Sequence, residues 1–258
     1  MRYEILGPLR VVGGGGISFI SAPKIEILLA ALVIRADHVV GTDQLIDEIW
    51  GDRAPRRATA GLHVYISELR KFLSRLDHPN NRIVTRQPGY LLNLGSDDMD
   101  VQLFLDRVAV GRKQARERCH EEASDRFESA LALWRGPALG GLGAGSMIEA
   151  FVSSVSESRM ECTELLVDSQ LQLGRHREVV GRLFSLVTEF PLRETFYRQL
   201  MLALYRSERR ADALKVYESA RRTLHDELGL EPCRALQDIQ RAILAGDDRA
   251  LLDTCAAV

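Results

Sequence analysis

Between residues 53 and 90 the chain carries eight basic side chains, Arg53, Arg56, Arg57, Arg70, Lys71, Arg75, Arg82 and Arg86, against two acidic ones, Glu68 and Asp77. Over all 258 residues the formal net charge is only -2. A local cationic excess in a weakly acidic chain suits the neutralisation of a polyanion, in which each cation releases condensed counterions. The spacing sharpens this. Leu62, Ile66, Leu69 and Leu73 form the apolar stripe of a helix predicted over about 57–76. The opposite face carries Ala60, Val64, Ser67 and Lys71, flanked by Arg56, Arg57, His63 and Arg70. That face is small, polar and basic, so a phosphate backbone can approach it closely. Taken alone it is equally the description of a solvated helix face.

The elements around the helix decide between the two. Ile83-Val84-Thr85 and Tyr90-Leu91-Leu92 flank Arg86-Gln87-Pro88-Gly89, which reads as a hairpin with a basic residue at its tip. Ahead of the helix, Pro23 suits a first helical position and Ile25, Leu28, Leu29, Leu32 and Val33 follow at helical spacing. A second helix is expected from Thr42 as N-cap, with Leu45, Ile46, Ile49 and Trp50 on one face. Tyr3 to Val12 alternate as a strand pair, and Ile17 to Ile20 resume β character after Gly13–Gly16. That glycine run precedes a strand and lacks a following Lys-Ser/Thr, so it reads as a hairpin turn and not as a phosphate cradle. Strands, three helices and a basic hairpin make a winged helix-turn-helix, whose last helix has the width of a DNA major groove.

A polar break at Gly95-Ser96-Asp97-Asp98 sets the expected boundary between a domain at 1–96 and one at 97–258. Charge changes sign across it, with 12 basic and 9 acidic side chains before and 22 and 27 after. Beyond the break the pattern is helical. Ala123, Phe127 and Ala130 share their spacing with Ala213, Tyr217 and Ala220, and Val179, Leu183 and Leu186 stand 34 residues before the last set. A 34-residue period with small residues at these points is a tetratricopeptide signature. The fold class expected is mainly α with a small β part, a winged helix followed by an all-α repeat domain.

The remaining chemistry is sparse. Four cysteines follow no metal or redox spacing and read as reduced thiols of a cytoplasmic protein. Six histidines fall on separate elements, none as His-x3-His, and no Gly-x-Ser-x-Gly occurs. Neither an enzyme nor a bound cofactor or metal is expected. No apolar run has the length of a membrane span.

At this point a family resemblance can be read. The order of elements in 1–96 resembles the winged-helix domain of OmpR-type response regulators. Leu131-Ala132-Leu133-Trp134-Arg135-Gly136-Pro137-Ala138-Leu139, Phe190-Pro191-Leu192-Arg193-Glu194 and Asp226-Glu227-Leu228-Gly229-Leu230-Glu231-Pro232 resemble hallmarks of the bacterial transcriptional activation domain. The whole is similar to small members of the Streptomyces antibiotic regulatory protein family. The resemblance implies an activator of a secondary-metabolite gene cluster. Such a protein binds direct repeats of double-stranded DNA near the -35 region, as a homodimer on DNA, and recruits RNA polymerase holoenzyme. It implies DNA contacts from Arg56, Arg57, Thr59, His63, Ser67, Arg70 and Lys71 on the helix and from Arg86 and Gln87 on the wing. Trp50 either lies against the phosphate backbone or plugs the core. Glu68 departs from the basic residue common in such recognition helices. Neither a receiver domain nor a Gly-x4-Gly-Lys-Ser/Thr nucleotide site is expected beside the winged helix. Two other readings remain at this point, a repressor that occludes a promoter and a protein-binding adaptor.

Overall fold

The computed structural model describes residues 1–76, 82–143 and 145–247. The chain forms two compact units, Met1–Val108 with Ser129–Met160, and Ala109–Glu128 with Glu161–Val258.

The first unit opens with β1 (Arg2–Glu4), β2 (Arg10–Gly13) and β3 (Gly16–Ser18), an antiparallel meander in which Val11 faces Tyr3 and Gly13 faces Gly16. The glycine run is thus a hairpin turn. Then come α1 (Pro23–Ile34), β4 (Val40–Gly41), α2 (Thr42–Trp50), α3 (Ala58–Leu76), β5 (Ile83–Arg86), β6 (Gly89–Leu92) and β7 (Asp98–Met99). β4, β6 and β5 form a second small sheet in the order β4-β6-β5. α1 is apolar on nearly every side, and Ile25 and Ile27 to Val33 are all buried. It packs against α2, α3 and β6 and is the core on which the helix-turn-helix is assembled. α3 buries the expected stripe of Leu62, Ile66, Leu69 and Leu73, together with Ala58.

One expectation needs correction. Thr42 is the first helical residue and not the cap. Gly41 is the N-cap, and its N–H donates to Gln44 Oε1 at 3.2 Å. The pairing of β4 with β6 brings the Pro88 carbonyl close to Thr42. The Thr42 backbone N–H and hydroxyl both donate to it, at 3.1 and 3.0 Å. The polar run at 95–98 is anchored in the first sheet. β7 pairs in parallel with β1, completing a sheet of order β3-β2-β1-β7. Asp97 binds the N-terminal amine at 2.6 Å and Arg82 at 3.0 Å.

The same unit contains the start of α4 (Asp100–Arg116) and the Trp134-Arg135-Gly136-Pro137 loop. Asp100 is 3% exposed and accepts from the N–H groups of Ile5 and Leu6 at 2.9 and 3.0 Å. The Arg135 N–H donates to Leu6 O at 2.8 Å, its Nη1 donates to Pro8 O at 3.1 Å, and Leu139 N–H donates to Ile5 O at 2.9 Å. Trp134 meets Phe104 edge-on at 5.6 Å. The loop therefore works as a clasp on the chain that leaves β1. On α2, Glu48 is 5% exposed and caps α6 (Ser146–Gln172), accepting from the N–H groups of Met147 and Ile148 at 2.7 and 3.3 Å.

The second unit is helical. Besides parts of α4, α5 (His120–Leu131) and α6 it contains α7 (His176–Glu189), α8 (Glu194–Arg206), α9 (Arg210–Leu228) and α10 (Arg234–Ala245). α7 packs on α8 and α8 on α9, with α10 against both α8 and α9. Gly111 lets α4 lie against Phe127, because a Cβ there would come 2.6 Å from the ring. The turn at 207–210 has no glycine, and Glu208 takes the left-handed conformation itself, with φ 63°. Ala123, Phe127, Val179, Leu183, Ala213, Tyr217 and Ala220 are buried, whereas Leu186 is half-buried. Ala220 has no exposed surface. Ala220→Trp should overpack α9 and cost about 1–3 kcal/mol or more in urea unfolding. Unchanged stability would contradict the repeat packing.

Candidate nucleic-acid interface

Arg56 and Arg57 lie just before α3, whose first turn starts at Ala58. Both are exposed, and the outward amide groups of a helix N-terminus add to their positive potential. Thr59, His63, Ser67 and Lys71 are exposed along the same helix, and so is Glu68. Val64, at 54% exposure, is an apolar contact on this face, of a size that suits a thymine methyl group.

The wing is the hairpin of β5 and β6, in which Arg86 pairs with Gly89 and leaves Gln87-Pro88 as the turn. Arg86 and Gln87 are exposed at its tip. Gly89 is required for a reason of space, since a Cβ there would come 1.9 Å from Val40 O and force β6 off β4. Thr42 holds the turn from one side, as described above. His63 approaches the wing strand, its ring edge-on to Tyr90 at 6.5 Å.

Arg70 is placed differently from its neighbours. It is half-buried, and its guanidinium turns to the wing: Nε donates to Ile83 O at 3.0 Å and Nη2 to Thr85 Oγ1 at 2.9 Å. Among the described residues, Arg56, Arg57, Lys71 and Arg86 carry no ion pair.

Trp50 is half-buried on the other flank of α3, where its ring stacks on Tyr65 at 5.6 Å and 22°. A Cβ at Gly61 would lie 3.5 Å from it. Lys24, near the start of α1, sits over the same ring at 5.2 Å. Trp50 therefore packs between α1 and α3. Lys24 and Tyr65 were not singled out from the sequence. The Gly61-x3-Tyr65 spacing, which sets both on the flank facing Trp50, is the signal that was there to read. Among the described residues no group of three or more His, Cys, Asp and Glu stands close enough to hold a metal. No described helix is long and apolar enough to cross a membrane.

Comparison with known proteins agrees with this arrangement of elements. Residues 22–92 match the family described as transcriptional regulatory protein, C terminal, and residues 99–244 match the bacterial transcriptional activator domain. The chain is 36% identical to the regulatory protein DnrI of Streptomyces peucetius, over 96% of this chain and 93% of that one. It is 36% identical to the regulatory protein AfsR of Streptomyces coelicolor over its full length, which is 25% of AfsR. The chain thus spans about a quarter of the AfsR proteins it matches. The solved structure of Mycobacterium tuberculosis EmbR, in complex with a low-affinity phosphopeptide, superposes with a TM-score of 0.91 at 31% identity, covering 99% of this chain and 68% of that one. With both domain types matched in order and a relative aligned nearly end to end, the chain belongs to the Streptomyces antibiotic regulatory protein family of transcriptional regulators.

Proposed function

We propose that the protein is a cytoplasmic, sequence-specific activator of a secondary-metabolite gene cluster. It binds direct repeats near the -35 region as a homodimer and recruits RNA polymerase holoenzyme, with 1–96 as the DNA-binding part and 97–258 as the activating part. One observation carries the DNA reading. Arg56 and Arg57 just before α3, Lys71 on it and Arg86 on the wing are exposed and have no ion pair among the described residues. Unpaired cations on a helix that fits the major groove are free to neutralise phosphates. The wing tip then reaches the neighbouring minor groove, where Arg86 senses a narrow, A·T-rich segment.

The test separates reading from positioning. Arg86→Ala should weaken operator binding by roughly 1–3 kcal/mol and relax preference in the A·T-rich spacer. His63→Ala or Ser67→Ala should change preference within the major-groove half-site. Binding to a panel of single-base operator variants measures both. Equal weakening on every sequence by all three substitutions would leave phosphate contacts alone and remove the assignment of base contacts.

A further inference from the structure

We propose that Arg70 is a positioning residue that sets the wing against α3 and so fixes the distance between the major-groove and minor-groove contacts. The proposal rests on the DNA-binding reading above. It departs from that reading on the role of this one arginine, which its place on the helix alone would count among the phosphate contacts.

The geometry points to this role. Both bonded nitrogens of Arg70 face β5, and their acceptors, Ile83 O and Thr85 Oγ1, lie two residues apart on one strand. A planar fork satisfied at two points fixes an angle as well as a distance. Arg86 follows Thr85 directly on that strand, so the pose of the wing tip is set one residue from the bond. From the other side Thr42 holds the Pro88 carbonyl. The hairpin is thus tied to α2 at its turn and to α3 along its first strand. A short β-hairpin has little rigidity of its own, and these ties supply it.

A phosphate contact and a positioning fork answer differently to lysine. A phosphate needs a cation, and lysine supplies one. The fork needs two donors in a fixed plane, which lysine does not have. The experiment uses the full chain and two labelled duplexes of equal length, one from the promoter flanking its own gene and one of mixed sequence. Arg70→Lys and Arg70→Gln should weaken promoter binding equally, by about tenfold. In either background Arg86→Ala should lose most of its own effect, whereas Arg57→Ala, at the far end of α3, should keep its effect in full. Thr85→Val removes one acceptor and no charge. It should weaken binding a few-fold and add nothing to Arg70→Gln, and its melting temperature checks that the fold is intact.

Wild-type affinity for Arg70→Lys, with a salt slope shallower by about 1.8 for the Arg70→Gln dimer, would make Arg70 a phosphate contact and overturn the proposal. Full additivity of Arg70→Gln with Arg86→Ala would overturn it too. Failure of the underlying reading has a separate signature. The wild-type chain would then bind neither duplex with any salt dependence, and the proposal would fall with it.

Discussion

Asp100→Ala is expected to destabilise the first unit by about 3–5 kcal/mol, the range for breaking a buried polar network on one side. The carboxylate is almost wholly enclosed and holds two backbone N–H groups, those of Ile5 and Leu6. Arg135 Nη2 stands 3.7 Å from it. Alanine leaves both N–H groups buried without an acceptor, and each such loss costs about 1–3 kcal/mol. Asp100→Asn keeps one acceptor and should cost less. Urea unfolding followed by circular dichroism measures both, and a loss below about 1 kcal/mol for alanine would contradict the network. Burial pushes the Asp100 pKa up against the lowering effect of those two N–H groups and Arg135. A raised folded-state pKa contributes stability that is full below the unfolded value and is lost as pH rises through the folded value. Asp100→Asn should flatten that part of the pH profile.

The same contacts revise what a shortened chain should do. From the sequence, a piece ending near Asp97 keeps its winged-helix core, because no apolar stripe crosses the break. In the structure such a piece lacks β7, the Asp100 carboxylate, the Arg135 clasp and the α6 N-terminus that occupies Glu48. It should show no cooperative unfolding transition of native steepness.

Legibility in the sequence followed the range of the interaction. The stripe of α3 and the wing hairpin were readable because each repeats a local period, 3.6 or 2, over many residues. The glycine turn between β2 and β3 needed only four residues in a row. β7 was not readable, since a two-residue strand pairing with residues nearly a hundred positions earlier has no period of its own. The roles of Glu48 and Asp100 were not readable for the same reason. Their partners are backbone N–H groups, which every residue but proline has, so nothing in the sequence marks them. At the interface the exposed cations were identified from the charge excess together with the helical spacing and the hairpin. The engagement of Arg70 with β5 was not, because charge and spacing place an arginine on a flank without saying which way its guanidinium turns. The sequence leaves Trp50 between two roles, and its stack on Tyr65 beside Lys24 shows the packing one.

The central claim is that the exposed cations of α3 and the wing neutralise DNA phosphates, and the salt dependence of binding tests it most directly. Arg56, Arg57, Lys71 and Arg86 give four cations per chain on this face. With about 0.9 ion released per phosphate neutralised, a dimer that engages about half to all of its cations should give a slope of log K against log salt of roughly -4 to -7. Affinity should then fall by about 10² to 10⁴ between 50 and 200 mM salt. The measurement is fluorescence anisotropy of a labelled promoter duplex, titrated with the full chain at several salt concentrations. A slope in that range, made shallower by about 3.6 in the Arg56→Ala/Arg57→Ala dimer if both arginines of each chain touch phosphate, is the predicted result. A slope near zero would contradict the account.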